Sequence, residues 1–75
     1  MKAEDRACEI VASTLKLEGR VALNDTMETL HGWDSLSHMR LVLEIEEVLG
    51  RPLAAEEIVS ILSVQSVATI LASKN

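Results

Sequence analysis

The chain has 75 residues, enough for one small domain and near the lower limit for a single hydrophobic core. Its formal net charge of −5 argues against nucleic-acid binding, which requires clustered cations that this sequence lacks. No apolar run approaches the roughly 20 residues of a membrane span. Because Cys8 is the single cysteine and no signal-like run opens the sequence, we expect a cytoplasmic protein. We also expect a monomer and a single discrete domain over 1–75.

The first predicted element is an amphipathic helix from about Ala3 to Lys16, with Gly19 as its stop. Between residues 17 and 33 no single period holds, and turn-forming residues are frequent. Apolar side chains nevertheless recur through this stretch, which predicts a packed loop instead of a disordered one. These side chains are Val21, Leu23, Met27 and Leu30.

The longest predicted helix opens at Asp34-Ser35 and runs to about Leu49, where Gly50 and Pro52 end it. Apolar residues cover most of its circumference, so it must be enclosed by other helices, dock onto partners, or both. Its main polar stripe is narrow and contains Ser37, Arg40, Glu44 and Glu47.

Two shorter helices complete the predicted fold. One spans Ala54 to Leu62, with acidic residues in its first turn, and the other follows an N-cap at Ser63 and ends near Ser73. The predicted fold class is therefore all-α: a four-helix bundle of three main helices and one short helix, with a long first loop.

Ser35 occupies the position best suited to carrying a chemical group. Serine at a helix N-terminus is ordinarily a cap. A phosphodiester attached there would also lie at the positive end of the helix dipole, facing unpaired backbone N–H groups. Gly32 in the preceding loop would leave room beside the hydroxyl. This physical argument permits an attached arm without requiring one.

Several features, taken in chain order, resemble the acyl carrier protein family over nearly the whole sequence. The resemblance is strongest from Leu30 to Val67 and includes the number and spacing of the helices. The features are Gly32-Trp33-Asp34-Ser35-Leu36, the long helix after it, Glu46-Glu47, and the run from Glu56-Glu57 to Ser63-Val64-Gln65-Ser66-Val67.

The resemblance implies that Ser35 receives 4'-phosphopantetheine from coenzyme A through a phosphopantetheinyl transferase. The protein would carry acyl or related groups as thioesters and present them to acyl-loading and acyl-transfer or condensing enzymes, without being an enzyme itself. Asp34 matches the acidic residue that helps the transferase position its metal ion. The attached acyl chain would be partly shielded among Leu43, Ile58 and Ile61. Residues that match the partner-binding surface are Leu36, Met39, Arg40, Glu46 and Glu47.

Three residues distinguish this sequence within the family pattern. Arg40 stands where the family often has an acidic residue, which predicts an altered choice of partners. Trp33 is bulkier than its counterpart in housekeeping fatty-acid carriers and resembles carriers of specialised polyketide, lipid or hybrid pathways. Asp34, where peptidyl carriers have a histidine, favours acyl over peptidyl or aminoacyl cargo.

One alternative is a hydrolase built from Ser35, His38 and Asp34, because residues three apart on a helix are neighbours. Asp34 adjoins the serine instead of orienting the imidazole, however, and no oxyanion hole is evident. We expect His38 to be a packed or boundary histidine near Ile45 and Leu49. A metal site from Cys8, His31 and His38 has no recognisable ligand spacing, and Cys8 is predicted to be a small core residue.

The second alternative is a helical adaptor that binds another protein through the long helix and carries nothing. Ser35 would then be only a helix cap, and Met39 would be a core residue. Glu44, Glu46 and Glu47 would form a solvated face. An adaptor should tolerate Ser35→Asp, whereas the same change should abolish a carrier.

Overall fold

Four α-helices, joined by one long loop and two short connections, account for the architecture. The structure is a computed structural model that describes residues 2–17, 19 and 21–73. Within those residues no strand occurs, and the extended pairing is an isolated antiparallel bridge between Thr26 and Ser63. The predicted all-α bundle is confirmed. The helices are α1 (Ala3–Leu15), α2 (Ser35–Leu49), α3 (Ala55–Ser60) and α4 (Val64–Ala72).

The core is aliphatic and lies where α1, α2 and α4 pack against one another. Burying one Val, Leu or Ile side chain contributes about 1.5–3 kcal/mol, so a few such residues dominate the stability of so small a domain. Trp33, although it lies in the loop, is also buried in this core. The fully buried large side chains are Leu41, Ile45, Ile61, Val11, Val64 and Val67.

Helix α1 ends at Leu15, within one residue of the predicted end, but Gly19 is not the residue that stops it. Lys16 adopts a left-handed conformation with φ of 56°, and Leu17 N–H donates to the Ala12 carbonyl over 2.9 Å. This six-to-one bond closes a Schellman motif, in which an apolar residue just past the helix packs back onto the core. Leu17 is such a residue, so its burial fixes the end of the helix before Gly19 is reached.

The long loop between α1 and α2 is packed, as its apolar residues predict. Val21 is buried in the core, and three further apolar side chains of the loop pack against it. Turns hold the segment locally: Asp25 accepts hydrogen bonds from Ala22 N–H and from the Thr29 hydroxyl. The three partly buried side chains are Leu23, Met27 and Leu30.

The same loop is fastened to the start of α4. The backbone N–H of Val64 donates to the Asp25 carbonyl over 3.0 Å, and that of Gln65 donates to the Leu23 carbonyl over 2.9 Å. The first N–H groups of a helix have no partner within the helix, so the loop satisfies donors that would otherwise face solvent. The Ser63 hydroxyl caps the same helix by accepting from Ser66 N–H.

Helix α3 is shorter than predicted and contributes no buried residue. Its start is held by Glu57, whose carboxylate accepts two hydrogen bonds from the Arg51 guanidinium, each 3.0 Å, and one from Ala54 N–H. These contacts, the guanidinium above all, lower the pKa of Glu57 from its ordinary 4.5 to about 2. Ile61, immediately after the helix, is fully buried, so α3 is anchored mainly through its two ends.

Candidate functional site

Ser35 is the first residue of α2, and its side chain is exposed. The N-cap is Asp34, whose Oδ1 accepts from Ser37 N–H over 2.9 Å. This backbone N–H, above all, lowers the pKa of the Asp34 carboxyl. The Ser35 hydroxyl has no hydrogen-bond partner among the described residues. The expectation that Ser35 could be only a cap is therefore wrong, because its neighbour already does that work.

The loop before Ser35 turns sharply and places the serine at the rim of the bundle. Gly32 has a φ of 89°, a left-handed conformation that favours glycine. Trp33 follows with only 5% of its surface exposed, so the backbone is fixed two residues before Ser35. A buried anchor and a capped helix thus flank an exposed hydroxyl.

His38 joins this anchor to α3. Trp33 Nε1 donates to His38 Nδ1 over 3.1 Å, and the two rings stack at an interplanar angle of 23° with centroids 6.3 Å apart. His38 Nε2 lies 3.2 Å from the Ile58 carbonyl oxygen. The ring is half-buried, which confirms the predicted boundary histidine.

The residues proposed for a hydrolase do not assemble into a catalytic triad. Both ring nitrogens of His38 are engaged, by Trp33 and by Ile58, and the Asp34 oxygen that forms a hydrogen bond faces Ser37 N–H. A general base must reach the hydroxyl it activates. Ser35 has no such contact in this arrangement.

An apolar cleft lies beside Ser35, between α2 and the end of α3. Its volume is about 390 Å³, and it is open on one side. The family resemblance predicts that Leu43, Ile58 and Ile61 shield an attached acyl chain. Of these three residues, only Ile61 lines the cleft. The lining residues are Met27, Ser35, His38, Met39, Val59, Ile61 and Leu62.

Leu43 instead points to solvent, with 61% of its surface exposed. At 100° per residue it lies roughly 145° around the helix from the centre of the buried face. That face consists of Leu41, Val42, Ile45 and Leu49. Leu43 therefore belongs to the outer surface, on the same side of α2 as the exposed Leu36 seven residues earlier.

The outer face of α2 carries the predicted partner-binding residues. Leu36 and Met39 are exposed by 64% and 50%, so the adaptor hypothesis is wrong to place Met39 in the core. Arg40 is exposed and forms no ion pair in the part of the chain that the structure describes. Glu47 is exposed, whereas Glu46 is half-buried and accepts from Leu53 N–H over 2.8 Å.

Sequence reasoning missed two residues on α3 and the turn after it. Val59 and Leu62 are exposed by 72% and 62% and lie on the open side of the cleft. Exposed apolar residues in a cluster mark a surface for contact with another molecule. The signal available in the sequence was the run Ile58-Val59-Ser60-Ile61-Leu62, whose four large apolar residues are too closely spaced for one face to bury all of them.

The remaining candidate site is not formed. No group of three or more His, Cys, Asp or Glu suited to a metal ion occurs within residues 2–17, 19 and 21–73. Cys8 is half-buried against the core on α1, as predicted. No helix in the described ranges is long and apolar enough to cross a bilayer.

The fold and the site together define a small helical bundle that displays an exposed serine hydroxyl at the head of its longest helix. A family model described as "Phosphopantetheine attachment site" matches residues 5–71. The chain belongs to this family and is a phosphopantetheine carrier protein. Neither curated proteins nor solved structures give a significant match.

Membership implies a covalently attached 4'-phosphopantetheine and, in general terms, contact with a phosphopantetheinyl transferase and pathway enzymes. The residues present fit such a group. An exposed hydroxyl that has no hydrogen-bond partner within residues 2–17, 19 and 21–73 is available for a phosphodiester, the start of α2 suits its charge, and the adjacent cleft is apolar.

Proposed function

We propose that Ser35 is the attachment point of the phosphopantetheine arm and that the protein carries acyl intermediates on it as thioesters. The observation that supports this most strongly is the division of labour at the head of α2. Asp34 caps the helix, which leaves the exposed Ser35 hydroxyl without a structural task among the described residues. When bound, the arm supplies the thiol that holds the cargo.

Asp34 serves this attachment in two ways in the proposal. Its Oδ1 fixes the first turn of α2 through Ser37 N–H, and so orients the neighbouring hydroxyl. An aspartate carboxyl is charged at neutral pH even at its ordinary pKa, and the pKa of Asp34 is lowered further by the Ser37 N–H. A charged, exposed oxygen next to the modified serine is suited to a metal ion held by the transferase, in keeping with the role that the family resemblance assigns to Asp34.

The cleft beside Ser35 supports acyl over peptidyl or aminoacyl cargo. Its walls are mainly Met, Val, Ile and Leu side chains, which favour hydrocarbon and offer few partners for polar groups. Trp33 supports a specialised polyketide, lipid or hybrid pathway through the resemblance already described. A monomeric protein of the cytoplasm completes the proposal, and the single cysteine is in keeping with a reducing compartment.

The partner surface in this proposal is the outer face of α2, where apolar and charged residues alternate. Leu36, Arg40 and Glu47 follow one another along that face at helical spacing, and Met39 flanks it. Glu46 also belongs to the proposed surface, although one of its oxygens is bound to Leu53 N–H. The unpaired Arg40 favours a partner that presents an acidic group opposite it.

Co-expression with a broad-specificity phosphopantetheinyl transferase, followed by intact-mass measurement, tests the attachment. The wild-type chain should gain one phosphopantetheine unit and Ser35→Ala none. Ser35→Asp provides the comparison with an adaptor, since Asp34 still caps α2 and the fold should survive. If Ser35→Asp retains function in its native pathway, the carrier proposal fails and the adaptor stands.

A further inference from the structure

A side chain of α2, that of His38, reaches the backbone at the end of α3. The Ile58 carbonyl accepts from Ile61 N–H over 3.3 Å and lies 3.2 Å from His38 Nε2. No residue of α3 is fully buried: Ile58 is partly buried against the core, and the fully buried Ile61 follows the helix. The hydrogen bond from His38 therefore adds a polar link between α2 and the end of α3 to the apolar anchoring by Ile61.

Trp33 determines which ring nitrogen of His38 carries the proton. An indole N–H is a donor only, so His38 Nδ1, 3.1 Å away, must accept from it. In a neutral imidazole the proton then resides on Nε2, which becomes the donor to the Ile58 carbonyl. The buried tryptophan thus selects the tautomer that can bind α3.

This link lies within the wall of the cleft beside Ser35. His38 lines the cleft from α2, while Val59 and Ile61 line it from the other side. Ile58, which receives the hydrogen bond, is adjacent in sequence to Val59. Releasing the carbonyl would let this side of the cleft move away from α2.

We propose that His38 is a positioning residue: it fixes the end of α3 against α2 and so sets the width of the cleft beside Ser35, with Trp33 holding its imidazole in the required tautomer. The part that concerns an attached chain rests on the proposed function. The part that concerns the helices does not, and each part has its own experiment.

Two substitutions separate the two hydrogen bonds of the ring. Glutamine can place an N–H near the position of Nε2 and keep the bond to Ile58, whereas asparagine can place an oxygen near Nδ1 and keep the bond to Trp33. His38→Ala removes both bonds. Trp33→Phe keeps an aromatic ring but removes the indole donor. Either ring nitrogen of His38 can then carry the proton.

Amide hydrogen exchange on the unmodified protein tests the link between the helices. Losing one hydrogen bond of ordinary strength should accelerate exchange at α3 and Ile61 about five- to tenfold in His38→Ala and His38→Asn. His38→Gln should stay within about twofold of wild type, and Trp33→Phe should fall between. Core amides of α4, such as Val67, should change much less.

Two results would overturn this part. Equal acceleration in α3 and α4 would mean that His38 supports the whole fold and positions nothing in particular. Equal exchange rates at the α3 amides of His38→Asn and His38→Gln would mean that the bond to Ile58 is not the link. Ser35→Ala is the matched control and should exchange as wild type does, so this result is independent of any modification.

Thioester reactivity tests the effect on an attached chain. The transferase loads the protein with the acylated arm of acetyl- or octanoyl-coenzyme A. The rate at which hydroxylamine cleaves each thioester is then measured. In wild type and His38→Gln the octanoyl thioester should react more slowly than the acetyl one. In His38→Ala the ratio of the octanoyl rate to the acetyl rate should change at least threefold, with the acetyl rate unaltered.

An unchanged ratio in His38→Ala would refute the effect on the cleft. Failure of the transferase to load wild-type protein would instead count against the proposed function, while the exchange result would still stand. The two failures are therefore distinguishable.

Discussion

Ile61 and Val59 line the same cleft but differ in burial, which allows a sharp test of how the site is supported. Ile61 is fully buried, whereas Val59 is exposed by 72%. Replacing a buried isoleucine by alanine typically costs about 2–5 kcal/mol, because apolar contacts are lost and a cavity remains. A 75-residue domain has a total stability of roughly 4–11 kcal/mol. Ile61→Ala should therefore remove a large share of the stability.

The expected change in melting temperature follows from the size of the domain. In chains of 60–100 residues each 1 kcal/mol corresponds to about 4–8 °C, so a loss of about 3 kcal/mol lowers Tm by roughly 12–24 °C. Ile61→Val should cost only about 0.5–1.5 kcal/mol. Val59→Ala, the matched control on the exposed wall, should lie within about 0.5 kcal/mol of wild type.

Far-ultraviolet circular dichroism during thermal unfolding measures all three variants. The expected order of Tm is wild type and Val59→Ala together, Ile61→Val slightly lower, and Ile61→Ala far below. If Val59→Ala destabilised the protein as much as Ile61→Ala, the cleft would be part of the closed core. The description of an open apolar site beside Ser35 would then be refuted.

Three further predictions concern charge and the partner surface. Because the pKa of Glu57 is lowered to about 2 from an ordinary 4.5, its contact with Arg51 stabilises the fold above pH 4.5, and that stabilisation is lost as pH falls towards 2. Glu57→Gln should abolish this part of the acid dependence of Tm, and an identical acid profile in the variant would contradict the assignment. Arg40→Glu should change the rates of loading or transfer while Tm stays nearly constant, and marked unfolding would instead show a structural role. Leu43→Ser should weaken binding of a partner enzyme in a titration without lowering Tm, and so should Leu36→Ser. Binding equal to that of wild type would remove this face from the partner surface.

The helices were predictable from sequence because their signals are local. Apolar periodicity identified α2 and α4, and the residues that end them, such as Gly50, are adjacent in the chain. The end of α1 was predicted to within one residue, but what stops the helix was not, since it depends on Leu17 packing into a core assembled from distant segments. The order of the long loop was predictable from its apolar residues, but its attachment to α4 was not.

Within the site, Ser35 and Asp34 could be singled out from the family resemblance, whereas their division of labour required coordinates. Which of two neighbouring residues caps a helix is set by backbone geometry, and here Asp34 has the extended conformation of an N-cap. The link from His38 to Ile58 spans 20 residues and involves a backbone carbonyl, which no side-chain pattern reports. The expected position of Leu43 in the cleft was wrong for a related reason. Apolar residues lie around most of the circumference of α2, so its periodicity gives little indication of which apolar side faces outward.

The most direct test of the central claim is to locate the modification on a single serine. After reaction with coenzyme A and a phosphopantetheinyl transferase, cleavage at arginine yields a peptide of residues 21–40, which contains both Ser35 and Ser37. Fragmentation should place the arm on Ser35, with Ser37→Ala modified as fully as wild type. An arm found on Ser37, or a modified Ser35→Ala chain, would contradict the account.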